Sequence, residues 1–174
     1  KDMPSNHVHE ILAEMMWPDQ PLGMPLAGTV ESVNSITRDD VVAYKENYYN
    51  TKNMLITGTG KLMERQFTDI AGKYLGKSEP GQMSKFLKVN VKQKTQALSV
   101  YKKDTEQMHV AIGIHAMDRF HPDKYALSLL NILLGANMSS RLFHIVRDEM
   151  ALCYEISSTI RRYEDCGAFV FSAG

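Results

Sequence analysis

RLFHIVRDEMALCYEISSTIRRYEDCGAFVFSAG, residues 141–174, changes period partway along. RLFHIVRDE carries helical spacing. CYEISSTIRRY and CGAFVFSAG read as two strands joined near Glu164 and Asp165. A helix followed by two strands built from neighbouring sequence is the element order of an α+β fold with mixed or antiparallel sheets and helices on one face.

Upstream, MHVAIGIHAM (108–117) alternates, with Val110, Ile112 and Ile114 on one face, and TQALSVYKK alternates Ala97, Ser99 and Tyr101 against Leu98 and Val100. Between these strands and the quoted stretch, residues 122–134 return to helical spacing, with Pro122 in the first turn. GANMSS then breaks the chain.

The first part is mostly helical. Residues 6–16 place Val8, Ile11, Leu12, Met15 and Met16 on one side, with Ser5 or Asn6 as N-cap. Three prolines and two glycines make WPDQPLGMPLAG an irregular connection. Residues 37–48 begin with Thr37 three positions before Asp40, a near variant of the capping box. NMLITGTG (53–60) reads as a short buried strand, and residues 62–75 as a third long helix. GKSEPGQMSK (76–85) has the most linker-like composition, and the linker is placed at 76–90. The expected organisation is therefore residues 1–75, a linker, and residues 91–174, in the order α-α-β-α, then β-β-α-α-β-β.

Bulk composition excludes several function classes. Twenty basic residues balance twenty acidic ones in the 174-residue chain, so it carries no electrostatic footprint for nucleic acid or a membrane surface. Two cysteines, Cys153 and Cys166, are too few for a disulfide framework and lack CxxC spacing. They suit a reducing compartment, the bacterial cytoplasm first, with the mitochondrion and periplasm left open. Lys1 opens the chain and AFVFSAG closes it in mid-strand, so both ends read as cuts in a longer protein. Exposed strand edges at 166–174 and near 53–59, open to pairing with another copy, are the expected consequence.

Four candidate sites follow. The histidines of HVHE, His7 and His9, are two apart and point roughly 200° from each other on a helix, so they cannot hold one ion. His7, Glu10 and Glu14 share a face, which reads first as a solvated one. TGTGK (57–61) lacks the GxxxxGK[ST] spacing of a phosphate loop. Cys153 follows His144 by nine residues, yet nothing in the sequence activates its thiol. Arg147 near a helix end and Tyr154 at a strand start, seven positions on, could hydrogen-bond a peptide carbonyl or an oxyanion. Equally, the arginine is a common helix-dipole partner and the tyrosine a common core residue. Spacing alone leaves both readings open.

The whole pattern resembles the pitrilysin/insulinase family of zinc metallopeptidases, in the branch with mitochondrial processing peptidase and bacterial processing proteases. Trp17 with Pro21, Leu22, Gly23 and Gly28 fits the family's W/Y-x-x-x-PLG-x-x-x-x-G segment. Ile36, Thr37, Asp40 and Tyr44 fit S-I-T-x-x-D-V-x-x-Y, and Tyr49, Asn53 and Met54 fit Y-x-x-x-N-M. GANMSSRLFHIVRDEMALCYEISS is similar to the family's G-G-x-M-S-S-R-L-F stretch and its continuation.

The resemblance implies two similar α+β domains joined by a linker. Two such halves, from a second copy or a related subunit, would close over an unfolded peptide like a clamshell. It implies zinc held by His-x-x-Glu-His and a distant glutamate, all outside this chain, with a zinc-bound water as nucleophile. That glutamate lies just before the segment resembling Lys1–Pro4, so the HVHE helix would pack the site without touching metal. Arg147 and Tyr154 would be the second domain's contribution, arginine on the substrate backbone and tyrosine on the oxyanion. The chain by itself would bind no catalytic zinc and cleave nothing. A noncatalytic scaffold subunit of the same family is the alternative. Ala151 stands where the family usually has glycine, at a turn expected to need φ > 0.

Overall fold

The computed structural model describes residues 3–78, 81–91 and 93–174. Glu79 and Pro80 of the expected linker, and Lys1 and Asp2 of the segment next to the implied ligand glutamate, lie outside the described residues. The elements are α1 (Pro4–Met16), α2 (Val30–Ser35), α3 (Arg38–Tyr48), α4 (Glu64–Leu75), β1 (Val110–Ala116), α5 (Lys124–Leu134), β2 (Ile156–Arg162) and β3 (Gly167–Ala173). A short 3-10 turn lies at Pro21–Gly23, and a π-helical turn occupies Phe143–Glu149.

The strands form one antiparallel sheet in the order β1-β3-β2, with Val110 and Ile156 both opposite Ala173. Tyr163 N–H donates to Cys166 O at 2.9 Å and closes the β2–β3 hairpin around Glu164 and Asp165. The α+β class is thus realised, with one sheet and helices packed on it.

Two compact units emerge. One joins the stretch up to Ala27 with Leu87–Gly174; the other is Gly28–Phe86. This grouping crosses the division read from the sequence, because α1 packs onto the sheet far along the chain. Gly113 makes that packing possible. A Cβ there would collide with Met16 Sδ and lie 3.0 Å from Leu12 Cδ1, so glycine lets those two side chains reach β1 without moving aside. Leu12, Met16, Trp17, Cys166, Ala168 and Val170 form the buried core of this unit. The Trp17 ring meets His115 and Tyr163 edge-on, with centroids 5.9 and 5.6 Å away. On the other sheet face, Ser158 Oγ–H donates to Asn131 Oδ1 at 2.7 Å and holds α5 against β2. Val110, Ile112 and Ile114 do share a face, and it is an exposed one.

In Gly28–Phe86 no described hydrophobic side chain is buried. Its order comes from hydrogen bonds, some within a turn and some reaching from Asn50 and Asn53 to Gln82 and Ser84. Thr37 Oγ1 accepts Asp40 N–H while Asp40 Oδ2 accepts Thr37 N–H at 2.8 Å, the reciprocal cap expected for α3. The Thr37 hydroxyl, which donates to Asp40 Oδ2 at 2.6 Å, and then the Thr37 N–H hold the Asp40 carboxyl below its ordinary pKa. Thr29 and Ser32 build a second reciprocal cap, on α2, which the sequence reading did not anticipate. Buried Asn50 donates to Asn47 O and Gln82 O and accepts from Lys52 N–H.

Several expectations are corrected. Residues 53–60 form no strand, and Leu55 is 89% exposed. A strand exists only with a partner, and Gly28–Phe86 supplies none among the described residues; Asn53 instead bonds Tyr48 O and Ser84. Residues 97–103 are irregular as well, despite their alternation. The stretch 166–174 presents no free edge, since β3 is the central strand; the open edges belong to β1 and β2. α1 is capped by Met3 with Pro4 at its first position, not by Ser5 or Asn6, because proline's fixed φ starts the helix earlier. α5 begins at Lys124, leaving Pro122 just ahead of its N-cap, Asp123.

Candidate functional site

The corner between the π-helical turn and β2 carries Arg147 and Tyr154. Its hydrogen bonds are wider than those of an α-helix: Met150 N–H reaches Ile145 O at 2.9 Å, and Leu152 N–H reaches Val146 O at 3.1 Å. Such widened turns recur at functional sites. Ala151 then takes φ +51, the left-handed conformation that its Cβ resists, and turns the chain toward β2. The alanine therefore adopts the turn for which the family uses glycine. On the far side, Tyr154 and Glu155 N–H groups both donate to Gly174 O, at 2.8 and 3.0 Å, while Gly174 N–H donates to Glu155 O. The corner is pinned to the end of the sheet.

The two side chains differ in setting. The Arg147 guanidinium lies 4.4 Å from the Phe143 ring centroid, one turn back, and is half-buried. That stacking orients the fork without neutralising it; no acidic side chain pairs with Arg147 among the described residues. Tyr154 is 76% exposed, and its phenol makes no hydrogen bond among the described residues. Neither is sealed in the core. Both have free donors: a planar cation suited to carbonyls, and an O–H suited to a developing negative oxygen.

The other candidates fall differently. His7 Nδ1 lies 3.0 Å from Glu10 Oε2, whereas His9 sits on another side of α1, in a small pocket with Arg161. Burial, and then the Arg161 charge, lower the His9 pKa. Among the described residues no group of three His, Cys, Asp or Glu side chains assembles to hold a metal, so those residues do not fit a zinc site. Gly60 takes φ +123 and turns TGTGK ahead of α4, as a chain reversal. His144 pairs with Asp148 at 3.7 Å rather than with Cys153. Buried Cys166 has its thiol pushed up to about 11 by burial and by Asp165, which leaves it protonated. Sequence reasoning missed His115, whose two ring nitrogens are buried without partners between α1 and the sheet. Its only signal was a histidine on the alternating face shared with Gly113. Among the described residues, no helix is long and apolar enough to cross a membrane.

Comparison with known proteins places the chain. The family described as the peptidase M16 inactive domain matches residues 35–174. An uncharacterized zinc protease of Bacillus subtilis is 31% identical across all of this chain, which spans 42% of that protein. One from Streptomyces coelicolor is 29% identical across all of it, over 39% of its own length. The chain thus spans well under half the length of these relatives. Among solved structures, a protease from Helicobacter pylori superposes with a TM-score of 0.82 at 21% identity, over 98% of this chain and 42% of that one. A chain of Complex III2 from Candida albicans, with Inz-5 bound, gives 0.80 at 16% identity, over 99% of this chain and 42% of that one. Those two likenesses establish the fold. With the match across residues 35–174, the chain belongs to the peptidase M16 inactive-domain family, within the pitrilysin/insulinase group.

Proposed function

We propose that this chain is part of a zinc-dependent metalloendopeptidase that cleaves unfolded peptides or presequences. In this reading residues 1–75 end a first peptidase-like domain, 76–90 link, and 91–174 begin a second. The metal belongs to the remainder of the protein, where it supplies Lewis acidity. The residues here do two other things. The Arg147 fork binds a carbonyl of the substrate backbone, and the Tyr154 O–H donates to the oxygen that turns negative as the peptide carbonyl becomes tetrahedral. The observation that carries this is the pinned corner, with a stacked, unpaired guanidinium and an exposed, unbonded phenol. The zinc-protease names of the relatives support it. A second copy or a related subunit would face this corner across the substrate, and the bacterial cytoplasm is the compartment.

In the full-length protein, with a fluorogenic peptide, Arg147→Ala is expected to raise KM about tenfold or more, with Arg147→Lys recovering part of the loss. Unchanged KM and kcat in both variants would remove the arginine from the mechanism. The isolated chain supplied with zinc should cleave nothing. The alternative reading is a noncatalytic scaffold subunit of the same family, which would share this fold. A His-x-x-Glu-His segment upstream of Lys1 in the full-length protein decides for the enzyme, and its absence for the scaffold.

A further inference from the structure

The π-helical turn Phe143–Glu149 places no carboxylate over Arg147. On a helix, side chains three and four positions apart meet, while those one or two apart do not. For Arg147 those positions are Phe143, His144, Met150 and Ala151, none of them acidic. The fifth position, which a widened turn adds, is Leu142 on one side and Leu152 on the other. Asp148 and Glu149 follow directly in sequence and so point away from the arginine's face; Asp148 Oδ2 lies 3.7 Å from His144 Nδ1. What the guanidinium meets is the Phe143 ring, 4.4 Å away at its centroid, and both side chains are half-buried.

The consequence is preorganisation. A free arginine samples many rotamers, and ordering it on a substrate weakens binding. A ring beneath the cation selects among those rotamers before substrate arrives, and it occupies none of the N–H donors. An acidic partner would also hold the arginine, but it would take up the donors that a substrate carbonyl needs. The segment that carries ring and cation is itself fixed. Buried Ser140 accepts His144 N–H on its carbonyl at 3.0 Å, and Ile145 O accepts Met150 N–H at 2.9 Å.

We propose, on the peptidase reading above, that Phe143 is a positioning residue, its ring presetting the Arg147 fork for a carbonyl of the substrate backbone.

Peptide hydrolysis by the full-length protein, with KM and kcat read separately, tests this. Phe143→Leu should raise KM about fivefold and leave kcat within about twofold. Phe143→Met keeps a flexible apolar side chain in the half-buried place and should do the same where leucine disturbs folding. Phe143→Tyr retains the ring face and should keep KM within about twofold of the unaltered protein. In an Arg147→Ala background, Phe143→Leu should change KM less than about twofold, because the ring then has no cation to hold. An equal rise in KM with and without Arg147 would make the ring a packing residue and overturn the proposal. So would an unchanged KM in both ringless variants; if Arg147→Ala alone still raises KM, the peptidase reading survives that result. A silent Arg147→Ala, or no hydrolysis by the unaltered protein, removes that reading and the role of Phe143 with it.

Discussion

The unit built around the sheet and the unit Gly28–Phe86 are ordered by different physics. The first buries Trp17, Ala168 and Val170 between α1 and a sheet more than ninety positions away in sequence. The second buries no described hydrophobic side chain and relies on two reciprocal caps and the Asn50 cluster. Each such hydrogen bond contributes about 0.5–1.5 kcal/mol net, whereas each fully buried large apolar side chain contributes about 1.5–3. Opening of the second unit should therefore cost far less than opening of the first. The candidate site is rooted in the sturdier unit.

Trp17→Ala is the largest blow to this contrast. It should destabilise the sheet unit by about 3–5 kcal/mol in denaturant unfolding. Val33→Ala in the other unit, at a side chain 54% exposed, should stay within about 0.5 kcal/mol. Equal losses at both positions would erase the distinction.

Acid should act on the sheet unit through its histidines and produce a smaller loss. Burial lowers the pKa of His115, and burial with the Arg161 charge lowers that of His9, from an ordinary 6.5. Below 6.5 the unfolded chain takes up protons that the folded chain refuses, so stability is intact above about pH 6.5 and is lost as pH falls through the lowered values. Residues 28–86 contain no histidine, so residue-resolved hydrogen exchange between pH 7 and 5 should quicken first in β1 and β3. An acid response that begins in α3 would contradict this.

The smallest effect is a gain. Ala151→Gly frees the φ +51 residue of its Cβ clash, and should add about 0.5–1 kcal/mol after the extra freedom of glycine in the unfolded chain is deducted. A melting temperature that falls instead would mean that the corner does not depend on that turn.

What the sequence revealed tracks the range of the interactions. The Thr37 cap on α3, the hairpin at Glu164–Asp165 and four of the helices were legible, because their signals lie within a few residues. Strand pairing was not. NMLITGTG and TQALSVYKK alternate or run apolar as strands do, but a strand needs a neighbour that local sequence does not name. The central place of β3, and the glycine at 113 that admits α1, are equally non-local. Arg147 and Tyr154 were ambiguous by spacing and became candidates through the family pattern. The structure adds what that pattern lacked: the left-handed alanine, the stacked guanidinium and the carbonyl of Gly174 that fixes the tyrosine's backbone.

The most direct measurement is kcat and KM of the full-length protein carrying Tyr154→Phe, on a peptide substrate. Removing one hydroxyl from an exposed ring should leave folding intact, lower kcat about 10²–10³-fold and leave KM within a few-fold. A variant that turns over like the unaltered protein would contradict the assignment of that phenol to the reacting carbonyl.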